Sequence, residues 1–308
     1  MRALDGFTIR AAVDADMPAA FAVFRRSLMP MLHRLGAVPS PELTDDEVVS
    51  TWAPRGDWIE HLWRSAAENW VAVEEATGHV VGWAMSVQRG PLLELTHFFV
   101  LPDVQSRGLG RALLERSMPP GRGPHRAIIA TQDPRAMSRY LRSGVRFITT
   151  IVDFEGPPRR VEPATDLEFE RLDPSAASVA LVGDVEEQLV GHRRDVDIEF
   201  LLRKRPAWIA RRAGAAVGFA FGYDEELTGP MGALDPGDIP ALLDHVENHA
   251  AEIGAPNLYF STPLQNRAAV EHLLARGYTL DPFFVSLLAD ADWLPVDRWI
   301  HTGISYIF

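Results

Sequence analysis

A chain of 308 residues with 47% hydrophobic and 23% charged residues has room for two cores and an ordinary globular composition, which excludes wholesale disorder and a fibrous repeat. Its 30 Lys and Arg against 42 Asp and Glu leave a net charge of −12, which repels phosphate backbones and anionic lipid, so no nucleic acid and no membrane is expected as a partner. Cysteine is absent, which excludes disulfides, thiolate metal sites and an acyl-cysteine intermediate together.

The first residues carry an early acid, Asp5, and no apolar targeting core, and no stretch approaches about 18 apolar residues, so a cytoplasmic location is expected. Phe7 to Arg10 reads as a strand, and Asp14 to Arg26 has helical spacing through Met17, Phe21 and Phe24. Met29 to Asn69 is irregular, with several prolines, an acidic run from Glu42 to Glu47, and Trp52, Trp58 and Trp63. Trp70–Glu74 and Val80–Met85 read as two strands joined at Thr77-Gly78 in a hairpin. Leu92 to Val100 is a third strand, followed by a glycine-bearing loop and a helix that ends before Pro119. A buried strand at Ala127–Ala130 precedes a helix bracketed by Asp133 as N-cap, Pro134 at its first position and Gly144 beyond its end.

Glu155-Gly156-Pro157-Pro158-Arg159-Arg160 reads as a linker, after which the first half repeats in outline. Val217-Gly218-Phe219-Ala220 echoes Val81-Gly82-Trp83-Ala84, Pro236 echoes Pro102, and Ala269 with Gly277 echoes Ala136 with Gly144, at offsets of 136, 134 and 133. Leu242-Leu243 then matches Leu113-Leu114 at an offset of 129, so the second copy is about five residues short where the first has its glycine loop.

That loop carries the strongest chemical signal. In Val100-Leu101-Pro102-Asp103-Val104-Gln105-Ser106-Arg107-Gly108-Leu109-Gly110-Arg111 a strand turns into a helix; the glycines permit close backbone approach, and the unpaired N–H groups of the helix start favour an anion such as a pyrophosphate. Gln105-x-x-Gly108-x-Gly110 resembles the acyl-CoA pyrophosphate loop of the GNAT N-acetyltransferase superfamily. Asp133-x-x-Ala136-x-x-x-Tyr140-x-x-x-Gly144 is similar to the second cofactor motif of that family, with Asp133 where asparagine is common and Val145 where phenylalanine is. The two motifs and their flanking strands span roughly residues 7 to 155.

The resemblance implies an α/β fold of two tandem GNAT-like domains, each a mixed twisted sheet flanked by helices: residues 1–155 bind acetyl-CoA and catalyse, and residues 161–308 are a degenerate copy, structural or substrate-binding. It implies cofactor contacts from Gln105, Ser106, Arg107, Gly108, Leu109, Gly110, Arg111 and Asp133, with backbone N–H groups near Phe99 and Val100 holding the pantetheine and polarising the thioester. It also implies Tyr140 as general acid and Glu94, eleven residues before Gln105, as the base that deprotonates the acceptor amine, with His97 second. Simple strand alternation separates Glu94, Thr96 and Phe98 from Leu95, His97 and Phe99, unless a bulge resets the phase.

The expected activity is transfer of an acetyl group from acetyl-CoA to a small-molecule amine by direct attack in a ternary complex. The alternatives are a non-catalytic acyl-CoA-binding regulatory protein, or a GNAT-fold acyltransferase using another acyl donor or a hydroxyl acceptor. No metal is expected: His245 and His249 have helical pair spacing but no third ligand. The acidic run reads as a solvated face and the tryptophans Trp52, Trp58, Trp63 and Trp70 as core or an acceptor wall, and a monomer or homodimer fits an internally duplicated chain.

Overall fold

In the computed structural model, residues 4–52, 56–105, 107–224 and 227–303 are described. The first repeat runs β1 (Phe7–Ala11), α1 (Met17–Arg34), α2 (Asp45–Ser50), α3 (Gly56–Arg64), β2 (Ala66–Glu74), β3 (Val80–Arg89), β4 (Leu92–Val100), α4 (Leu109–Ser117), β5 (His125–Ala130), α5 (Pro134–Arg142) and β6 (Arg146–Gly156). The hairpin between β2 and β3 forms at Thr77-Gly78, where Gly78 takes a φ of +72° that a side chain would disfavour. Helix α1 outruns its sequence signal and carries Pro30 within it.

The second repeat follows the same order with two helices rather than three between its first two strands: β7 (Glu168–Leu172), α6 (Ala176–Val190), α7 (Asp195–Lys204), β8 (Ala207–Arg212), β9 (Ala215–Phe221), β10 (Met231–Ala233), α8 (Ile239–Glu252), β11 (Leu258–Pro263), α9 (Arg267–Ala275), β12 (Thr279–Ala289) and a short added β13 (Trp299–Ile300). By their contacts the residues form two compact units, one reaching Ile128 and including Asp133–Val145, the other holding Ile129–Gln132 and everything from Arg146 onward. The boundary therefore falls before β6 rather than at the linker after it. The cause is pairing: β6 hydrogen-bonds antiparallel to β11 from Leu258↔Gly156 to Pro263↔Ile151 and to β12 along its other edge, so the last strand of the first repeat belongs to the second unit.

In the first unit the strands lie in the order β1-β2-β3-β4-β5, antiparallel except for the β4–β5 pair. Helix α4 covers one face, where Leu109 and Leu113 pack with Ala72, Val81, Ala84 and Phe98. Helices α1 and α3 cover the other, with Phe24 against Phe99 and Trp63 against Trp83. Trp83, Phe21 and Met85 are fully buried, each stabilising the fold by roughly 1.5–3 kcal/mol through apolar burial. In the second unit β13-β10-β9-β8-β7 make one sheet and β12-β6-β11 run side by side.

Candidate active site

Two features of β4 set the site. Its parallel pairing with β5 runs from Leu92↔His125 to Leu95↔Ile128 and ends there, while its pairing with β3 continues to Gly82↔Val100. The stretch from Thr96 to Val100 thus passes beyond the paired part of β5, which opens an edge of the sheet. The second feature is a bulge at Thr96: Leu95 pairs with Ser86 and His97 with Met85, so one residue of β4 has no opposite number on β3. The bulge resets the alternation. Glu94 opposite Val87, His97 opposite Met85 and Phe99 opposite Trp83 all share the face under α1 and α3, and the separation of Glu94 from His97 expected from simple alternation is corrected.

Glu94 is 5% exposed and His97 is 2% exposed. The His97 ring stacks on Trp83 at 4.3 Å and meets the edge of Phe24 at 5.5 Å. Burial holds its pKa down to about 3, so the imidazole is neutral and weakly basic throughout the physiological range. Tyr140 lies on the opposite face, its ring edge-on to Phe98 at 5.7 Å, and burial pushes its phenol well above the ordinary value, so it carries its proton. The two faces meet along the open edge of β4.

The loop after β4 is built around hydrogen bonds from one side chain. Gln105 donates from Nε2 to the Val100 carbonyl at 3.0 Å and accepts at Oε1 from Arg135 at 2.7 Å, which ties the loop to both the strand end and α5. Gly108 is the N-cap of α4 with a φ of +91°. The first intrahelical bond there is Ala112 N–H to the Gly108 carbonyl, so the amides of Leu109, Gly110 and Arg111 face outward at the helix start. A Cβ on Gly110 would lie 3.4 Å from both the Arg139 guanidinium and the Phe98 ring, so the glycine leaves a cradle about one methyl group wide between them. The chemistry of this pocket fits a pyrophosphate: outward amides, a positive helix end and arginines around it.

Other candidates differ in their engagement. Arg107 lies 5.6 Å over the Phe7 ring, and Arg111 pairs with Glu115 at 2.7 Å on an exposed surface. Ser106 lies outside the described residues. Asp133 caps α5 by accepting from the Arg135 amide at 2.8 Å, a structural role for its carboxylate. Arg135 and Arg139 join the site although neither was expected from sequence; the signal for them was their spacing of one helical turn within the second motif.

The remaining sequence candidates resolve into packing. Thr44 and Glu47 form a capping box at α2, and Asp45 pairs with Arg26, so the acidic run is a helix start with a solvated face. Trp58 and Trp63 are core, Trp52 packs edge-on to Phe21, and Trp70, opposite Ala84, sits on the α4 face with Arg116 over its ring. The four do not make one wall. His245 stacks on Phe169 at 3.9 Å and both helical histidines meet the edge of Trp208, whose ring also carries Arg171 at 4.7 Å, an aromatic setting beside a cation. Among the described residues no group of three or more His, Asp or Glu is placed to hold a metal ion, and no helix is long and apolar enough to cross a membrane.

Comparison with known proteins agrees with this architecture. Residues 39–144 match the model of the acetyltransferase (GNAT) family. No curated protein matches the chain. Among solved structures, a protein from Pyrococcus horikoshii is similar with a TM-score of 0.66 at 16% identity, over 96% of this chain and 93% of its own. A GCN5-related N-acetyltransferase from Sphaerobacter thermophilus gives 0.62 at 18% identity, over 92% and 95%. A tandem GNAT protein from the clavulanic acid biosynthesis pathway gives 0.54 at 16% identity, over 92% and 97%. At these identities the likeness is one of fold, and it extends over both repeats.

Proposed function

We propose that the first unit, which carries an acetyltransferase domain of the GNAT family over residues 39–144, transfers the acetyl group of acetyl-CoA to the amine of a small molecule by direct attack in a ternary complex. The observation that carries this reading is the α4 start: a left-handed Gly108, outward amides from Leu109 to Arg111 and the Gly110 cradle beneath Arg139, all beside the open edge of β4. Bound there, acetyl-CoA would supply an activated thioester and a thiolate leaving group. The chain supplies the rest. The α4 amides with Arg135 and Arg139 would neutralise phosphate charge, and Gln105 would keep the loop in register with Val100.

Proton handling divides across the sheet. An alkyl ammonium with a pKa near ~10 must lose a proton before it attacks, and Glu94 is the group on the α1 and α3 face suited to take it, directly or through a water. His97 shares that face, but its depressed pKa argues for a packing role beside Trp83. Tyr140, on the other face and kept protonated by burial, is suited to deliver a proton to the departing thiolate. Holding amine and thioester together at the β4 edge would supply much of the acceleration.

The test is a thiol-release screen of pooled amines with wild type and Glu94→Gln. Acetyl-CoA-dependent release with one pool is expected, with kcat in the variant lowered by roughly 10²-fold and its rise with pH flattened. Tight binding of acetyl-CoA with no release from any amine pool would instead make the protein an acyl-CoA sensor. Release with a longer acyl donor or an alcohol acceptor would change the chemistry while keeping the site.

A further inference from the structure

The second repeat keeps the frame of the cofactor slot. Ala233 pairs with Gly218 as Val100 pairs with Gly82, so at an offset of 133 Met231, Gly232 and Ala233 of β10 stand where Phe98, Phe99 and Val100 stand in the first repeat, Ser261 of β11 stands where Ile128 stands, and Asn266 stands where Asp133 stands. The gap between β10 and β11 therefore corresponds to the open edge of β4. In the second unit it is filled by the chain itself. Strand β13 pairs antiparallel with β10 through Met231↔Ile300 and Gly232↔Trp299, and His301 bridges to Ser261 of β11.

The filling is specific, group by group. The Ala233 N–H, counterpart of the Val100 amide, donates to the Arg298 carbonyl at 3.2 Å. The Leu234 carbonyl, counterpart of Leu101, accepts from the Arg298 guanidinium at 3.0 Å, which ties the added segment to the end of β10. Asn266, the N-cap of α9, accepts from the Ala269 amide and donates to the Trp299 carbonyl at 3.2 Å. The Trp299 indole lies against Gly232, where a Cβ would come within 3.1 Å of it, and meets Phe219 edge-on at 5.5 Å. Trp299, Ile300, His301 and Thr302 are all at most 2% exposed. At the start of α8, where the first repeat offers outward amides and arginines, Asp238 stands buried, held by both arms of Arg212 at 2.7 and 3.0 Å. Asp166 shares the same guanidinium, so two carboxylates against one arginine leave a net negative charge there, which disfavours phosphate.

We infer that the slot of the second unit is a site for an extended peptide strand, occupied by the chain's own residues Asp297–Gly303, and that it takes no acyl-CoA. The ligand class follows from the contacts: backbone carbonyls meeting the Ala233 amide and Asn266, a ladder to β10, and one large indole in an apolar seat. The correspondence of the two slots rests on the first unit being the acyl-CoA site, but the strand contacts stand without it.

The experiment keeps the full chain. A protease recognition sequence is inserted after the exposed Asp292 and cut in the folded protein. The severed segment is expected to stay bound through size-exclusion chromatography and to be released at least tenfold faster with Trp299→Ala; prompt release from a protein whose remainder stays folded overturns the inference. Asn266→Asp preserves the helix cap and removes the donor to the Trp299 carbonyl, so uncut protein should show roughly tenfold faster deuterium exchange at Ile300 and His301, and unchanged exchange there counts against it. Calorimetry with acetyl-CoA on the uncut chain should give one site. Two sites overturn the inference. No site at all contradicts the acyl-CoA reading of the first unit alone, and the strand assignment then stands or falls on release and exchange.

Discussion

At the residue scale, Tyr140 and Gln105 separate chemistry from positioning. The Tyr140 ring is held by Phe98 and its own burial, so Tyr140→Phe should leave the fold and the KM for acetyl-CoA intact and lower kcat by about 10- to 100-fold. Steady-state kinetics of the variant checks this, and an unchanged kcat removes Tyr140 from the acid role. Gln105→Ala removes the bonds to Val100 and Arg135 and should act the other way, raising KM with little change in kcat. Asp153 offers a check on buried charge: burial, against the opposing hydrogen bond from Ser261, lifts its pKa to about 6. Its folded pKa exceeds the unfolded value near 3.9, so the fold holds the proton longer and loses stability as pH rises from about 4 through 6. Asp153→Asn should therefore raise Tm at pH 8 and lose that advantage by pH 4 in thermal melts.

At the scale of elements, much was legible because local chemistry decided it. Thr77-Gly78 announced its hairpin, and Asp133, Pro134 and Gly144 bracketed α5, since caps and left-handed positions depend on neighbours in sequence. The Thr96 bulge was not legible: Thr between Leu95 and His97 fits an unbroken strand equally well, and the extra residue shows only against the register of β3. The pairing of β6 with β11 and β12 and the seating of β13 were hidden for the same reason, as partners distant in sequence leave no local mark. The helical pair on α8 adds a pH effect. His245 is held down to about 4, first by burial and then by His249 and Arg171, with Glu252 opposing, and His249 is lowered too, mainly by burial. The unfolded chain takes up these protons first, near pH 6.5, so second-unit stability should fall as pH drops from 6.5 toward 4. His245→Phe should weaken that dependence in denaturant melts, and an identical pH profile would show that the pair is inert.

At the scale of the molecule, the two repeats share one frame and differ in what fills it. The first keeps an open β4 edge, a glycine loop and arginines from α5; the second has a shortened loop, an Asp238–Arg212 pair at the helix start and its own strand in the slot. The deletion after Pro236 was visible in the sequence as a broken offset, whereas what fills the space was not, because Trp299-Ile300-His301 is too short to declare itself as a strand. Everything proposed for catalysis depends on acetyl-CoA binding in the first unit at the start of α4. Calorimetric titration of acetyl-CoA into wild type and into a Gly108→Glu, Gly110→Glu variant, with folding of both confirmed by circular dichroism, measures that binding directly. One-site binding to wild type that vanishes in the folded variant is predicted. No binding to folded wild type, or binding undiminished in the variant, would contradict it.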